Sequence, residues 1–385
     1  MKFPIEKFQE LRTPFYYYDT TLLDETLKAV KDNMQPNWHM HYAVKANTNP
    51  KILSHIVAAG FGADCVSGGE IQACLDAGFP AEKIVFAGVG KSDWEIELAL
   101  LTNIFCFNVE SIPELEVINE LAQKHGKVAR IAFRINPNVG AHTHENITTG
   151  RAENKFGIAW EDALDVIQRS QQMGHVECVG LHFHIGSQIT EMDDFATLAL
   201  RINELQEILD TYGIRLPNVN VGGGLGIDYE TPDQNPVPNF KAYFDTFRRY
   251  LQLHKGQQLH FELGRSLVAQ CGSLIGKVLY VKKGSLRTFA ILDAGMTELI
   301  RPALYNAHHA VENITPHDGE SVYDVVGPIC ESSDVFAKGV KLATTIRGDL
   351  MAIRSAGAYG EIMASQYNSR KLPEGYTSEE LCCQQ

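Results

Sequence analysis

Eight short apolar runs, at 39–46, 63–66, 84–87, 104–109, 129–135, 178–184, 219–221 and 258–261, are separated by amphipathic stretches such as 163–173 and 195–212. The runs have strand length and the stretches helix length. A helix between two strands returns the chain to the end from which it started, so the strands pair in parallel. Eight such units predict a closed (β/α)8 TIM-type barrel over residues 21–265. Beyond Arg265 the texture changes. β-Branched runs at 274–282, 288–292, 322–326 and 349–353, separated by turn residues, predict a C-terminal β-domain, barrel or sandwich, over 266–385. Residues 13–19, Thr-Pro-Phe-Tyr-Tyr-Tyr-Asp, read as a strand with no helical partner before it, so segment 1–20 is expected to join that β-domain.

Composition narrows the class. A chain of 385 residues, 44% hydrophobic and 21% charged, is a two-domain globular protein. A net charge of −13 without a basic run argues against nucleic acid or an anionic membrane as partner, which leaves a small molecule. The first residues lack the basic-then-apolar order of a signal peptide, and no stretch approaches the roughly 20 apolar residues of a membrane span. A cytoplasmic location is therefore expected. The eight cysteines form no CxxC pair, so neither a disulfide framework nor a zinc site is indicated. Cys382 and Cys383 lie in a short polar tail expected to be disordered.

In such a barrel the reactive groups sit at the C-terminal ends of the strands. Lys45 stands at the end of the first run, and an amine in a partly desolvated cleft forms a Schiff base with a carbonyl cofactor. Asp64 and Ser67-Gly-Gly-Glu70 follow the second run, His184-Ile-Gly-Ser-Gln188 the sixth, Gly222-Gly-Gly224 the seventh and Glu262-Leu-Gly-Arg-Ser266 the eighth. Three glycines after a strand let backbone N–H groups approach a phosphate; a tight turn is the alternative. Ile227 breaks the dinucleotide GxGxxG pattern and Val85 the P-loop pattern. Glu262, an acid at a buried strand end, needs a partner: a cationic ring nitrogen, or Arg265. His182 and His184 alternate with apolar residues and share a strand face. No cysteine or carboxylate completes a metal shell around them, so no metal is expected. His142-Thr-His144, in a polar loop, reads as a lid or a solvated turn.

Together these motifs resemble the pyridoxal-phosphate decarboxylases of the alanine racemase-like barrel type, and within them diaminopimelate decarboxylase. The resemblance is carried by Tyr42-Ala-Val-Lys-Ala-Asn47, Ser67–Glu70, Arg134-Ile-Asn-Pro-Asn138, His142–Gly150, Lys155-Phe-Gly157, His184–Gln188, Gly222–Gly224, Glu262–Ser266, Arg301-Pro-Ala-Leu-Tyr305, Gly327–Asp334 and Gly357-Ala-Tyr-Gly360. It spans nearly the whole chain. It implies pyridoxal 5'-phosphate bonded to Lys45, stacked on by His184, and faced at its ring nitrogen by Glu262. Ser187, Gly224, Gly264, Arg265 and Tyr359 would hold the phosphate. Arg265, Arg301, Tyr305, Glu331 and Tyr359 would bind the far end of meso-diaminopimelate. Cys330 would donate a proton to the product carbanion from the second subunit of a homodimer with shared active sites. Leucine at 263 departs from the family's proline. The implied reaction yields L-lysine and CO2, the last step of lysine biosynthesis. A decarboxylase of ornithine, arginine or carboxynorspermidine is the rival within the fold, and a non-catalytic cofactor carrier the rival outside it.

Overall fold

The computed structural model describes residues 2–140 and 155–382, so His142 and His144 lie outside the described residues. The chain forms two compact units. One comprises Leu27–Gly226 and Asn239–Gly264; the other comprises Met1–Thr26, Ile227–Pro238 and Arg265–Gln385.

The first unit is the closed barrel that the alternating pattern predicts. Its eight strands are β2 (Trp38–Ala43), β3 (Gly62–Cys65), β4 (Ile84–Phe86), β5 (Cys106–Val109), β6 (Ala129–Arg134), β7 (Val176–His182), β8 (Asn218–Asn220) and β9 (Gln258–Leu263), following β1 (Phe15–Tyr18) of the other unit. They pair in parallel in chain order, and β9 closes on β2 with His41 opposite Glu262. Helix starts are written locally: Ser67, Ser111 and Asn239 each accept a first-turn backbone N–H, satisfying a donor the helix leaves open. Two predicted helices shift at their ends, to Ala163–Ser170 and Met192–Thr211. The sixth apolar run ends as a strand at His182 rather than His184, so the two histidines do not share a strand face. His184 begins the loop beyond it.

Inside this unit, Trp38, Phe244, Phe247 and Tyr243 crowd around Phe261 with ring centroids 5.0–5.8 Å apart. Polar layers lie along the strands as well. His41 Nε2 is 2.9 Å from His260 Nδ1, and His260 Nε2 is 2.9 Å from Asn218 Oδ1. Residues two positions further along two of these strands, Asn220 and Glu262, form the next layer, as the strand period of two requires.

The second unit is an eight-stranded mixed sheet. Strands β10 (Gly272–Lys283), β11 (Thr288–Leu292), β12 (Val311–Asn313), β13 (His317–Val326), β14 (Val335–Thr344) and β15 (Leu350–Ile353) run in the spatial order β12-β15-β10-β11-β13-β14. Strand β1 (Phe15–Tyr18) pairs antiparallel with β10 and parallel with β16 (Glu374–Thr377). The chain end is ordered further than its polarity suggests: Cys382 closes the helix Ser378–Cys382, and its neighbour Leu381 is buried; 383–385 lie outside the described residues. No helix among the described residues is long and apolar enough to cross a membrane.

Phe8 packs edge-on against Phe15 and Tyr17, at 5.2 and 5.0 Å, in a cluster with Ile275, Leu350 and Leu381. Phe8→Ala is expected to lower stability by about 3–5 kcal/mol through loss of apolar burial and a residual cavity. Leu286→Ala, at a side chain 93% exposed, is expected to change it by less than about 0.5 kcal/mol. Equilibrium chemical denaturation of both variants measures the contrast.

Candidate active site

The barrel strands converge their C-terminal ends on one set of groups. Strand β2 stops at Ala43, and Lys45 sits in the short 3-10 turn Val44–Ala46 that follows. Val44, Ala46 and Asn47 are buried while Lys45 is exposed as a residue, so the turn is anchored by its neighbours; the Lys45 charge acts on Asp64, Glu70 and His184. Across the barrel seam, Leu263 is fully buried opposite Tyr42 at the end of β9. A Cβ on Gly264 would stand 3.0 Å from Ala43 Cβ and 3.1 Å from Ala46 Cβ, so glycine lets the end of β9 lie against the lysine turn.

Glu262 is buried at 7% exposure, with donors from three strands. His182 Nε2 of β7 lies 2.8 Å from Oε2; Asn220 Nδ2 of β8 and Asn108 Nδ2 of β5 donate to Oε1 at 2.7 and 3.1 Å. Burial alone would push this carboxyl up. The charge and hydrogen bond of His182 are the leading causes that hold it well below its ordinary range. Asp64 on β3 goes the other way. Burial first, and the Glu262 charge second, raise it well above its ordinary value against the opposing pull of Lys45, and its Oδ1 has no hydrogen-bond partner. One carboxyl is thus pushed toward its ionised form and its neighbour toward its protonated form, a division typical of sites that handle protons.

The loops after β7 and β8 are tied together. Ile189 N–H donates to Gly224 O at 2.9 Å and Gly226 N–H to Ile189 O at 2.8 Å. Each glycine of Gly222–Gly224 is required by close backbone approach: a Cβ would meet Phe183 O at 2.3 Å, Glu262 O at 1.9 Å and Gly186 O at 2.5 Å respectively. Gly222 and Gly224 also adopt φ of +71° and +106°. The motif is a tight turn, and the amide N–H of Gly224 has no acceptor among the described residues, which suits an anion. Ser187 lies half-buried in the neighbouring loop. His184, also half-buried, accepts the Gly223 N–H on Nδ1 at 3.3 Å, which fixes its ring orientation. Burial, then the charges of Arg134 and Lys45, push it well below its ordinary value, so it is a neutral ring. Ser67 and Glu70 have a structural part. Ser67 Oγ accepts from Glu70 N–H, capping the helix Gly68–Asp76, and Glu70 Oε2 accepts from Val66 N–H just before it.

In the second unit, Arg265 and Arg301 are both buried and meet on one oxygen. Arg265 Nη1 donates to Tyr229 Oη at 2.6 Å and Arg301 Nη1 donates to it at 2.9 Å. Tyr359, held at φ +56°, lies under the Arg265 guanidinium at 4.9 Å. Tyr305 ends the short helix Arg301–Tyr305 and is half-buried. Cys330 and Glu331 are exposed, in the loop joining β13 to β14. That loop is fixed by Asp334, whose carboxylate accepts from Ile329 and Met296 N–H at 2.7 and 2.6 Å, and Glu331 Oε1 accepts from Tyr367 Oη at 2.6 Å.

Tyr229, His309, Asn108 and Asn220 escaped the reading of the sequence. The asparagines left a signal, since Asn218-Val-Asn220 alternates polar with apolar on a strand whose outer face helices cover. Tyr229 left none.

The barrel thus brings together a lysine in the turn after β2, an ionised buried acid with lone-pair capacity for a fourth donor, a neutral histidine and an amide without a described acceptor in a glycine cradle, a set whose chemistry fits a carbonyl cofactor with a ring nitrogen and a phosphate. Residues 21–269 match the family model described as "Pyridoxal-dependent decarboxylase, pyridoxal binding domain", and the residues fit that cofactor. The chain is 64% identical over 381 residues to diaminopimelate decarboxylase of Bacteroides thetaiotaomicron, covering 98% of this chain and 99% of the relative. It is 45% identical over 370 residues to diaminopimelate decarboxylase of Helicobacter pylori, covering 95% and 90%. The crystal structure of a Helicobacter pylori diaminopimelate decarboxylase complexed with L-lysine superposes with a TM-score of 0.92 at 43% identity, covering 98% of this chain and 94% of that one. This chain belongs to the pyridoxal-dependent decarboxylases, and among them to the diaminopimelate decarboxylase family.

A carboxyl raised on folding keeps a proton that the unfolded chain releases, so its contribution to stability falls as pH rises above the ordinary carboxyl range. Asp64→Asn is expected to gain stability relative to the parent between about pH 4 and about pH 7, by up to about 1.4 kcal/mol per pH unit. Denaturation at both pH values reads this; an offset that does not change with pH would show Asp64 ionised in the folded protein.

Proposed function

We propose that this chain removes CO2 from the D-configured centre of meso-2,6-diaminopimelate and releases L-lysine. The observation that carries the reading is the full-length match to diaminopimelate decarboxylases. The chemistry agrees with it. Diaminopimelate keeps a second amino-acid end, whose carboxylate needs cations, and two buried arginines are available. Ornithine, the arginine substrate and carboxynorspermidine lack that distal carboxylate and are the less supported alternatives.

Lys45 anchors the cofactor by its amine, and its place in the turn after β2, with its charge acting on Asp64 and His184, supports the assignment. Pyridoxal phosphate supplies the electron sink for the pair left behind by CO2. Glu262, ionised, holds a proton on the pyridine nitrogen and so keeps the ring electron-poor. His184 stacks on the ring, while Ser187, Gly224, Gly264, Arg265 and Tyr359 take the phosphate. Arg265, Arg301, Tyr305 and Tyr359 bind the distal carboxylate, and Glu331 the distal ammonium. Cys330 delivers a proton to the substrate carbon from the second chain of a homodimer. Exposure of Cys330 and Glu331 on a braced loop supports a role toward a neighbouring chain. Free thiols at all seven described cysteines are consistent with work in the cytoplasm.

Purified protein supplied with pyridoxal phosphate is expected to form lysine and CO2 from meso-diaminopimelate and neither product nor CO2 from ornithine or arginine. Lys45→Ala is expected to abolish turnover and borohydride labelling at that position. Cys330→Ala is expected to lower kcat by about 10²- to 10⁴-fold, the range for loss of a general acid. Mixing the Lys45→Ala and Cys330→Ala proteins under subunit exchange should restore part of the activity if sites are shared between chains. No recovery would place both residues' action within one chain.

A further inference from the structure

Two buried guanidinia side by side repel each other, and something has to hold them together before a substrate arrives. Tyr229 Oη is the acceptor they share, at 2.6 Å from Arg265 Nη1 and 2.9 Å from Arg301 Nη1. The phenol is buried, yet the charges and hydrogen bonds of the two arginines outweigh burial and lower its pKa. The second arginine has another support. Arg301 Nη1 also points at His309 Nε2, 3.0 Å away. His309 Nδ1 lies 2.9 Å from the Arg354 carbonyl, so Nδ1 carries the ring proton and Nε2 presents its lone pair to the guanidinium. Burial and then the Arg301 charge push His309 down to about 3, so it stays neutral. The His309 ring also meets the Tyr229 ring edge-on at 5.1 Å.

The segment Ile227–Pro238 that carries Tyr229 is itself pinned. Arg354 holds Asp233 bidentately, at 2.6 and 3.1 Å, and also donates to Glu312 at 2.9 Å. On the other side, Arg301 spends only Nη1 on Tyr229 and His309. Its Nε and Nη2 have no acceptor among the described residues. Those two donors form the edge of the guanidinium that receives a carboxylate through two parallel hydrogen bonds.

We propose that Tyr229 is a positioning residue that sets Arg265 and Arg301 as a paired clamp for the distal carboxylate, with His309 fixing the orientation of Arg301. The assignment rests on the reading that this arginine pair receives the substrate's far end. Tyr229 occupies the inner donors of both guanidinia, tempers their repulsion and leaves the outer edge of Arg301 facing the ligand. Discrimination for a substrate with a second carboxylate then depends on a phenol that never touches the reacting carbon.

The test compares two inhibitors of diaminopimelate turnover by the cofactor-loaded enzyme. L-Lysine retains the carboxylate that survives the reaction; cadaverine lacks it. Tyr229→Phe removes one oxygen and keeps the ring. It is expected to raise the inhibition constant of lysine and the KM for diaminopimelate by roughly 10- to 100-fold, the loss expected for charge-assisted hydrogen bonds, with cadaverine inhibition and kcat nearly unchanged. His309→Ala, a second variant should the first fail to fold, is expected to show the same lysine-selective loss to a smaller degree. Lysine inhibition that is unchanged, or that weakens in step with cadaverine, would overturn the clamp. A parent enzyme that does not turn over diaminopimelate would instead overturn the substrate assignment on which the clamp rests.

Discussion

Everything in the barrel is organised around a charge that has no business in a protein interior unless it is fully met. An ionised carboxylate without partners costs several kcal/mol to bury. Glu262 is buried and ionised because His182, Asn108 and Asn220 meet it from β7, β5 and β8. Those donors come from strands more than 40 residues away in the chain, and only a closed cylinder with the observed register brings them to one point. Barrel closure and the electrostatics of the site are therefore one constraint. An open sheet of the same strands would leave the acid on β9 and the imidazole on β7 without a common interior.

The same economy governs the loops. Gly222, Gly223 and Gly224 are squeezed between backbone carbonyls of the β7 loop and β9, so the turn has one shape and its amides one direction. That rigidity ties the loops after β7 and β8 together and leaves the Gly224 amide without an acceptor among the described residues. Asp64, left with an unmatched oxygen beside a permanent anion, is pushed the opposite way, toward holding its proton. Two carboxyls in one interior thus part company because one has three donors and the other has few.

In the β-unit the recurring device is a polar side chain that fixes backbone or cation geometry. Asp334 stitches the Cys330 loop through two backbone amides, and Tyr229 does for two guanidinia what Asp334 does for amides. Neither was visible beforehand. A tyrosine in a loop between Ile227 and Pro238 has no periodicity to betray it, and its partners at 265 and 301 are distant in sequence. The polar barrel layers were better marked, since His39-Met-His41, Asn218-Val-Asn220 and His260-Phe-Glu262 each alternate polar and apolar residues on strands flanked by helices. Where the reading slipped, at the end of β7, the cause was an apolar run that continues into a buried loop: Phe183 and Ile185 are buried for reasons of packing after the ladder has stopped.

By itself, the sequence determined the eight strands of the barrel and their order, the change of texture after Arg265 and the types of residue at the strand ends. All of these are set by local periodicity, backbone conformation and chemical identity, which neighbouring residues along the chain suffice to express. The tertiary structure alone decided which carboxyl is charged, which nitrogen of His309 carries the proton, that Lys45 is exposed and that Arg265 and Arg301 share one phenol. Those properties are energies of burial and of contact between residues distant in the chain, and they come into being only when the fold has brought the groups together.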